Sequence, residues 1–157
     1  MISLKQLFSK QYLVHTILLI ILVITFLFSL ITFAVTQKSD RRCFIFPSAD
    51  SGNYIVEYRN LSKNAIQGDI GYFIDELLLG STVERTKFLF TPGTKILSCF
   101  QRGNTLYLNL SNDLLSIGEG VIDIKEGMDL LKENVEKNFP KISNVEIFVN
   151  GKIAFEN

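Results

Sequence analysis

A serine and an aspartate at the end of an alternating stretch are the first residues in this chain that could do chemistry. In "TLYLNLSNDLL" (residues 105–115), Ser111 is followed two positions later by Asp113. A hydrolytic serine needs a base within hydrogen-bond reach to take its proton. The only histidine is His15, and it lies in the long uncharged run near the start of the chain. A Ser/His/Asp or Cys/His arrangement is therefore excluded from everything after that run. A serine–lysine pair would need one lysine marked out by its spacing from Ser111, and none is. Ser111 reads instead as a structural corner, its hydroxyl bonding nearby backbone N–H groups as Ser and Asp do in turns.

The other reactive types point the same way. Cys43 and Cys99 lie too far apart in the chain to form a metal-ligand pattern. Two alternatives stay open for them: a disulfide in an oxidising compartment, or two thiols buried beside Phe44 and Phe100. Asp75-Glu76 and the Glu133/Glu136 pair fall on the polar sides of helical segments, where a solvated face is the ordinary outcome. "SIGEG" (116–120) has neither the Lys-Ser/Thr of a phosphate loop nor the GxGxxG spacing, and reads as a flexible loop. No cofactor or metal is expected.

The elements that must position these residues begin with a membrane segment. From Tyr12 to Val35 the chain reads "YLVHTILLIILVITFLFSLITFAV", without a formal charge. At about 1.5 Å per residue such a run is long enough for about 30 Å of hydrocarbon. It is also longer than the apolar region of a cleaved signal peptide. We read residues 1–11 as a short tail, 12–36 as a single-pass signal-anchor in the cytoplasmic membrane, 37–42 as a linker and 43–157 as the domain. Lys5 and Lys10 precede the helix while Lys38, Arg41 and Arg42 follow it, so positive charge alone does not choose the side. The size of the domain that follows favours an inside N-terminus and an extracytoplasmic domain. All 16 acidic residues and 14 of the 16 basic ones lie beyond position 37, interspersed. No basic cluster interleaved with aromatics marks a nucleic-acid surface.

Within the domain, "CFIFP" (43–47) and "YIVEYR" (54–59) read as strands around the turn cluster "SADSGN". Ile66, Ile70, Phe73, Ile74 and Leu77 form one apolar stripe, so residues 65–79 read as a helix with Asn64 as N-cap and Gly80 at C′. Gly68 and Gly71 inside it would let the helix approach a sheet closely. Thr91-Pro92-Gly93-Thr94 suits a type II turn, with Pro92 presetting φ and Gly93 accepting a positive one. "KILSCFQ" and "TLYLNL" form a hairpin at Arg102-Gly103-Asn104. In the second strand Leu106, Leu108 and Leu110 face the helices. A second helix runs from Asp123 to Phe139, with Ile124, Met128, Leu131 and Val135 on one face, and Pro140 ends it. "NVEIFV" and "KIAF" flank Asn150-Gly151, a second hairpin turn. The order implies an α+β, two-layer domain: two helices on one face of a mostly antiparallel sheet.

This series of features resembles the GerMN domain, the module named for spore-germination and sporulation proteins. The resemblance rests on "CFIFP", Arg59, "DELLLGS", "FTPGTKILSCF", "LYLNLSNDLL" and "NVEIFVNGK", spread over most of residues 42–152. The chain departs from the family in having Gly80-Ser81 where Gly-Pro is common, one copy where spore-associated members can have two, and a membrane helix in place of a lipoprotein anchor. The resemblance implies an extracytoplasmic module of the bacterial cell envelope that serves in assembly or binding, without established catalytic residues. Two classes of function follow. An interaction module, binding another envelope protein or itself, predicts an apolar patch on the helix-free sheet face or at an exposed hairpin edge such as 144–155. A domain that binds or hydrolyses cell-wall glycan or peptide predicts a cleft of convergent polar groups with a perturbed carboxylate or lysine.

Overall fold

The structure is a computed structural model that describes residues 13–36, 39–63, 66–116 and 118–154; the expected N-cap Asn64 lies outside them. The chain divides into two units, residues 1–38 and 39–157. The first contains helix α1 (Leu13–Thr36). Its stretch Leu13–Phe33, 21 residues of mean hydropathy 2.8, is long and apolar enough to cross a membrane. Two of its hydroxyls turn back onto the helix: Thr25 donates to Ile21 O at 3.0 Å and Thr32 to Phe28 O at 3.0 Å.

The second unit runs β1 (Ser39–Pro47), β2 (Tyr54–Ser62), α2 (Gly68–Leu78), β3 (Ile96–Arg102), β4 (Thr105–Leu110), a single 3-10 turn (Asn112–Leu115), α3 (Ile124–Asn138), β5 (Asn144–Val149) and β6 (Lys152–Ile153). β1 starts at Ser39, so residues 37 and 38 alone separate it from α1. Helix α2 starts later than its stripe predicts because Gly68 has φ +75°, a left-handed turn that stops the helix from extending backwards.

The α+β architecture is as expected, but the strands form two sheets. β1 and β2 pair antiparallel, with Ser39 opposite Ser62 and Pro47 opposite Tyr54. β3, β4, β5 and β6 form the second sheet in that order. Its outer pairs are antiparallel, while β4 and β5 run parallel, with Thr105 opposite Asn144. The parallel pair follows from α3: a helical crossover returns the chain to the end where β4 began.

The free edge of β1 is closed by α3. Asn134 Oδ1 accepts from Ile45 N at 2.8 Å, and its Nδ2 donates to Ile45 O at 3.0 Å. One turn later Asn138 repeats the exchange with Cys43, at 2.8 and 2.6 Å. Two asparagines at i and i+4 thus supply the hydrogen bonds of a missing strand. The approach is close at Gly127 too, where a Cβ would lie 2.4 Å from Leu89 O. Gly127, and not Gly68 or Gly71, is the glycine that lets a helix approach its neighbour closely; a Cβ on Gly71 would touch only Gln67, and one on Gly68 nothing.

The core forms where α2 and α3 meet both sheets. Phe44, Phe73, Ile74, Leu106, Leu108, Leu110 and Leu131 are fully buried. The rings of Phe44 and Phe73 stack at 4.6 Å, and Phe139 meets Phe73 edge-on at 5.4 Å. Each such side chain contributes about 1.5–3 kcal/mol by leaving water.

Candidate interaction surface

Period-two alternation decides what the helix-free face of the four-stranded sheet displays. In β4, Leu106, Leu108 and Leu110 point to the core, which leaves Tyr107 and Asn109 on the outer face. β3 brings Phe100 opposite Tyr107, β5 brings Phe148 opposite Asn109, and β6 brings Ile153 opposite Phe148. Phe100 and Tyr107 stack with centroids 5.1 Å apart, and Tyr107 and Phe148 stand 6.5 Å apart. Phe100 is 57% exposed and Ile153 52%, while Tyr107 and Phe148 are half-buried. The result is an apolar row across all four strands. Glu146, which accepts from Asn144 at 2.9 Å, and Asn109 give it a polar border. β2 shows a second outward stripe, Tyr54, Val56 and Tyr58, with Arg41 lying 4.4 Å over the Tyr58 ring.

The polar groups around the end of α2 are engaged within the fold. Arg59 forks onto Glu57, with Nε 2.8 Å from Oε1 and Nη2 3.1 Å from Oε2. It also donates to Glu76 O at 3.2 Å and Gly80 O at 2.6 Å, so it caps the carbonyls at the end of α2. Its guanidinium lies 4.7 Å over the Phe44 ring. Arg59, helped by Thr82 and Ser81, holds the Glu57 carboxyl down at about 2 against the opposing effect of burial. Ser81, standing where the family commonly has proline, donates to Glu57 Oε2 at 2.7 Å. Gly80 has φ +90°, and a Cβ there would lie 2.5 Å from the Phe88 ring. Asp75 is shifted the other way, raised by burial and by its neighbour Glu76, and it accepts from Gln67 at 3.3 Å.

Ser111 stands at the end of β4. Its hydroxyl donates to Asp113 Oδ2 at 2.7 Å and accepts from Lys95 N at 3.0 Å, and its own N–H donates to Lys95 O at 2.9 Å. Lys95 follows the turn in which Thr94 N donates to Thr91 O at 3.1 Å and Gly93 has φ +99°. The hydroxyl of Thr91 in turn bonds Ser116 O. At the Asn150-Gly151 turn both residues have positive φ, 48° and 80°, and Asn109 Oδ1 accepts from Gly151 N at 2.9 Å. Cys43 and Cys99 are free, half-buried thiols on β1 and β3, and burial pushes the Cys99 thiol up to about 11, with Asp75 adding to it.

Two shallow grooves accompany these surfaces. One, of about 730 Å³, lies between the 3-10 turn, the start of α3 and the β5–β6 turn, and its walls include Leu115, Ile124, Met128 and Ile153. The other, of about 480 Å³, runs between Tyr54 and the acidic face of α3 at Glu126, Asp129 and Glu133. Neither contains Ser111, Glu57 or Asp75. Sequence reasoning misses Glu57, Asn134 and Asn138. Only the asparagines leave a signal: with Gly127 and Leu130 they make a row at helical spacing beside the apolar stripe.

Comparison with known proteins accords with this geometry. The Germane family, described as "Sporulation and spore germination", matches residues 44–154. An uncharacterized lipoprotein of Treponema pallidum (strain Nichols) is 28% identical over 115 residues, 73% of this chain and 86% of that protein. The solved tandem GerMN domains of the sporulation protein GerM from Bacillus subtilis superpose with a TM-score of 0.58 at 18% identity, over 73% of this chain. The chain spans 40% of that tandem structure. Against the first GerMN domain of the same protein alone, the TM-score is again 0.58, at 13% identity, over 73% of this chain and 85% of that one. The matched span runs from the buried Phe44 of β1 to Ala154, just past β6, and so takes in both sheets, both packed helices and the apolar row: the chain belongs to the Germane family.

Proposed function

We propose that this protein is a non-catalytic interaction or assembly module of the bacterial cell envelope, with a role in sporulation, germination or envelope biogenesis. In this reading α1 is a single-pass anchor in the cytoplasmic membrane and residues 43–157 are extracytoplasmic. The observation that carries it is the Phe100–Tyr107–Phe148–Ile153 row on the helix-free face, where Phe100 and Ile153 keep more than half their surface exposed. Exposed apolar side chains contiguous across a sheet mark a surface made for a partner more often than for water. The partner is another envelope protein or a second copy of the chain. A name of lipoprotein for the Treponema relative supports membrane attachment, here through a helix.

Several features weigh against the alternative, a glycan- or peptide-processing domain. Phe100 and Tyr107 stack on one another, so each covers one ring face of the other against a flat ligand. Glu57 is committed to Arg59, and Ser111 to Asp113 and Lys95. Photo-crosslinking from position 98 or 100 of the full-length protein in its native membrane tests the reading. Capture of a protein at these positions, absent from a probe at Ser51, supports it; recovery of wall fragments alone overturns it. For topology, thiol labelling of unfolded, reduced Cys43 and Cys99 from outside the membrane should succeed, and its failure refutes the extracytoplasmic placement.

A further inference from the structure

The chain enters the domain at Ser39, and the loops at that end carry an excess of positive charge. Ser39 pairs with Ser62, so β2 ends where β1 begins. The β3–β4 turn lies there as well, with Arg102 opposite Thr105 and Asn104 O accepting from Ser143 N at 2.9 Å. So does the end of α3, because Arg42 donates to Asn138 O at 2.9 Å and lies 4.4 Å over Phe139. The cations gathered there are Arg41, Arg42, Lys63, Arg102, Lys137 and Lys141; the acids are Asp40, Asp69, Glu136 and Glu146, the last bonded to Asn144 beside the β3–β4 turn. Asp40 is already engaged by Lys63 at 2.7 Å and Arg42 at 3.2 Å. Arg41, Lys63, Arg102, Lys137 and Lys141 are exposed. In the same loop as Lys63, Ile66 is 103% exposed, an isoleucine with its whole side chain in water. At the far end the charges are of both signs, and Asp50 pairs with Arg85 at 3.5 Å.

We propose that this basic end of the domain binds an anionic lipid surface, with the five exposed cations at headgroup phosphates and Ile66 entering the interface. The inference rests on the reading of α1 as a membrane span. Two facts choose lipid as the occupant. Only residues 37 and 38 separate α1 from β1 in the sequence, so it is at its Ser39 end that the domain is joined to the segment read as a membrane span. Charge and apolarity also coincide as an interfacial contact requires, clustered Lys and Arg for the phosphates and one large aliphatic side chain for the acyl boundary.

The test places the full chain in nanodiscs of phosphatidylglycerol or of phosphatidylcholine and follows amide hydrogen exchange. Residues 102–104 and 137–143 should exchange more slowly in the anionic bilayer, on the order of tenfold. The far turn, residues 48–53, should be unchanged and serves as an internal check that the domain is folded. The difference should vanish near 1 M salt, where the screening length is about 3 Å. It should vanish also in the triple variant Arg102→Glu, Lys137→Glu, Lys141→Glu. Equal exchange in the two lipids, or slowing that survives the triple variant, overturns the proposal while leaving the anchor intact. A chain that alkaline carbonate strips from the bilayer overturns the membrane reading itself, and the proposal falls with it.

Discussion

The side-chain amide of Asn134 and the backbone of Ile45 hold each other by two hydrogen bonds, 2.8 Å to the N–H and 3.0 Å from the C=O. Asn134 is fully buried, and its Nδ2 also reaches Leu130 O at 2.9 Å. A buried strand with no neighbour along one edge must find partners there for its N–H and C=O groups, and a helix can offer them only through side chains. Removing the amide strands two buried backbone groups, each costing about 1–3 kcal/mol. Asn134→Ala should therefore lower unfolding free energy by roughly 3 kcal/mol in urea titrations. Asn138→Ala, at a half-buried position where water can replace the amide, should cost less. Equal losses at the two positions would show that burial does not set the penalty.

This contact also marks the limit of what periodicity reveals. The stripes that define α2 and α3, the alternation in β4 and the Asn150-Gly151 turn can all be read directly, since each is a local pattern of side chains facing a core. The division into two sheets cannot. Whether the second edge of β1 meets a strand or a helix depends on Asn134 and Asn138, which lie about 90 residues away in the chain and whose row beside the apolar stripe does not say what it will meet. The Glu57–Arg59 fork is hidden for a different reason. Charges at i and i+2 on a strand share a face, but nothing local says that the end of a helix will arrive there to be capped. The outer row is half visible: Tyr107 follows from alternation within β4, whereas Phe100, Phe148 and Ile153 join it only through register across three pairings.

Gly127 separates helix propensity from packing. Alanine is favoured over glycine within a helix by up to about 1 kcal/mol. At this position the added Cβ would lie 2.4 Å from the backbone oxygen of Leu89 and 3.0 Å from the Phe90 ring. A backbone atom cannot swing aside, so α3 must move off the 89–90 segment. Gly127→Ala should destabilise by roughly 2–3 kcal/mol in spite of its propensity, in the range of overpacked cores. Thermal unfolding of Gly127→Ala beside Gly71→Ala, whose nearest contact is the Gln67 side chain at 3.2 Å, makes the comparison.

Ser111 joins two segments through one oxygen, accepting from Lys95 N while donating to Asp113. Ser111→Ala leaves a partly exposed N–H to water and should cost on the order of 1 kcal/mol. Ser111→Cys keeps a weak donor and acceptor and should recover part of that. If either variant instead left stability untouched and abolished crosslinking to a partner, the structural role would be wrong.

Glu57 gives the domain an acid sensitivity of known sign. Its carboxyl ionises at about 2 in the fold, against 4.5 when unfolded, principally because Arg59 bonds the charged form. A depressed folded-state value means that the stabilisation is complete above the unfolded value and is lost as pH falls toward about 2. At 1.36 kcal/mol per unit, and allowing for partial solvation, the contribution is roughly 2–3 kcal/mol. The difference in stability between the natural protein and Glu57→Gln should be largest above pH 5 and shrink steadily toward pH 2. Asp75 has the opposite sign: its raised value penalises the charged form in the fold. Asp75→Asn should stabilise at neutral pH, with the gain fading as pH falls through the raised value and gone below the ordinary carboxyl value. A parallel pH dependence for the two variants would refute both assignments.

The apolar row separates binding from folding. Phe100 is 57% exposed and stacks only along the surface, with Tyr107 at 5.1 Å. An exposed aromatic pair is worth about 0.5–1.5 kcal/mol, so Phe100→Ser should leave a cooperative transition shifted by no more than that. If the row is the docking surface, truncating an aromatic near its centre should cost at least 2 kcal/mol of binding, about thirtyfold in affinity. Tyr107→Ser, with Phe100 and Phe148 on either side, should then lose more binding than Tyr58→Ser on the β2 stripe, although Tyr58 is 57% exposed and Tyr107 half-buried. The reverse order, measured as recovered crosslink per unit of folded protein, would move the partner to the β1–β2 sheet.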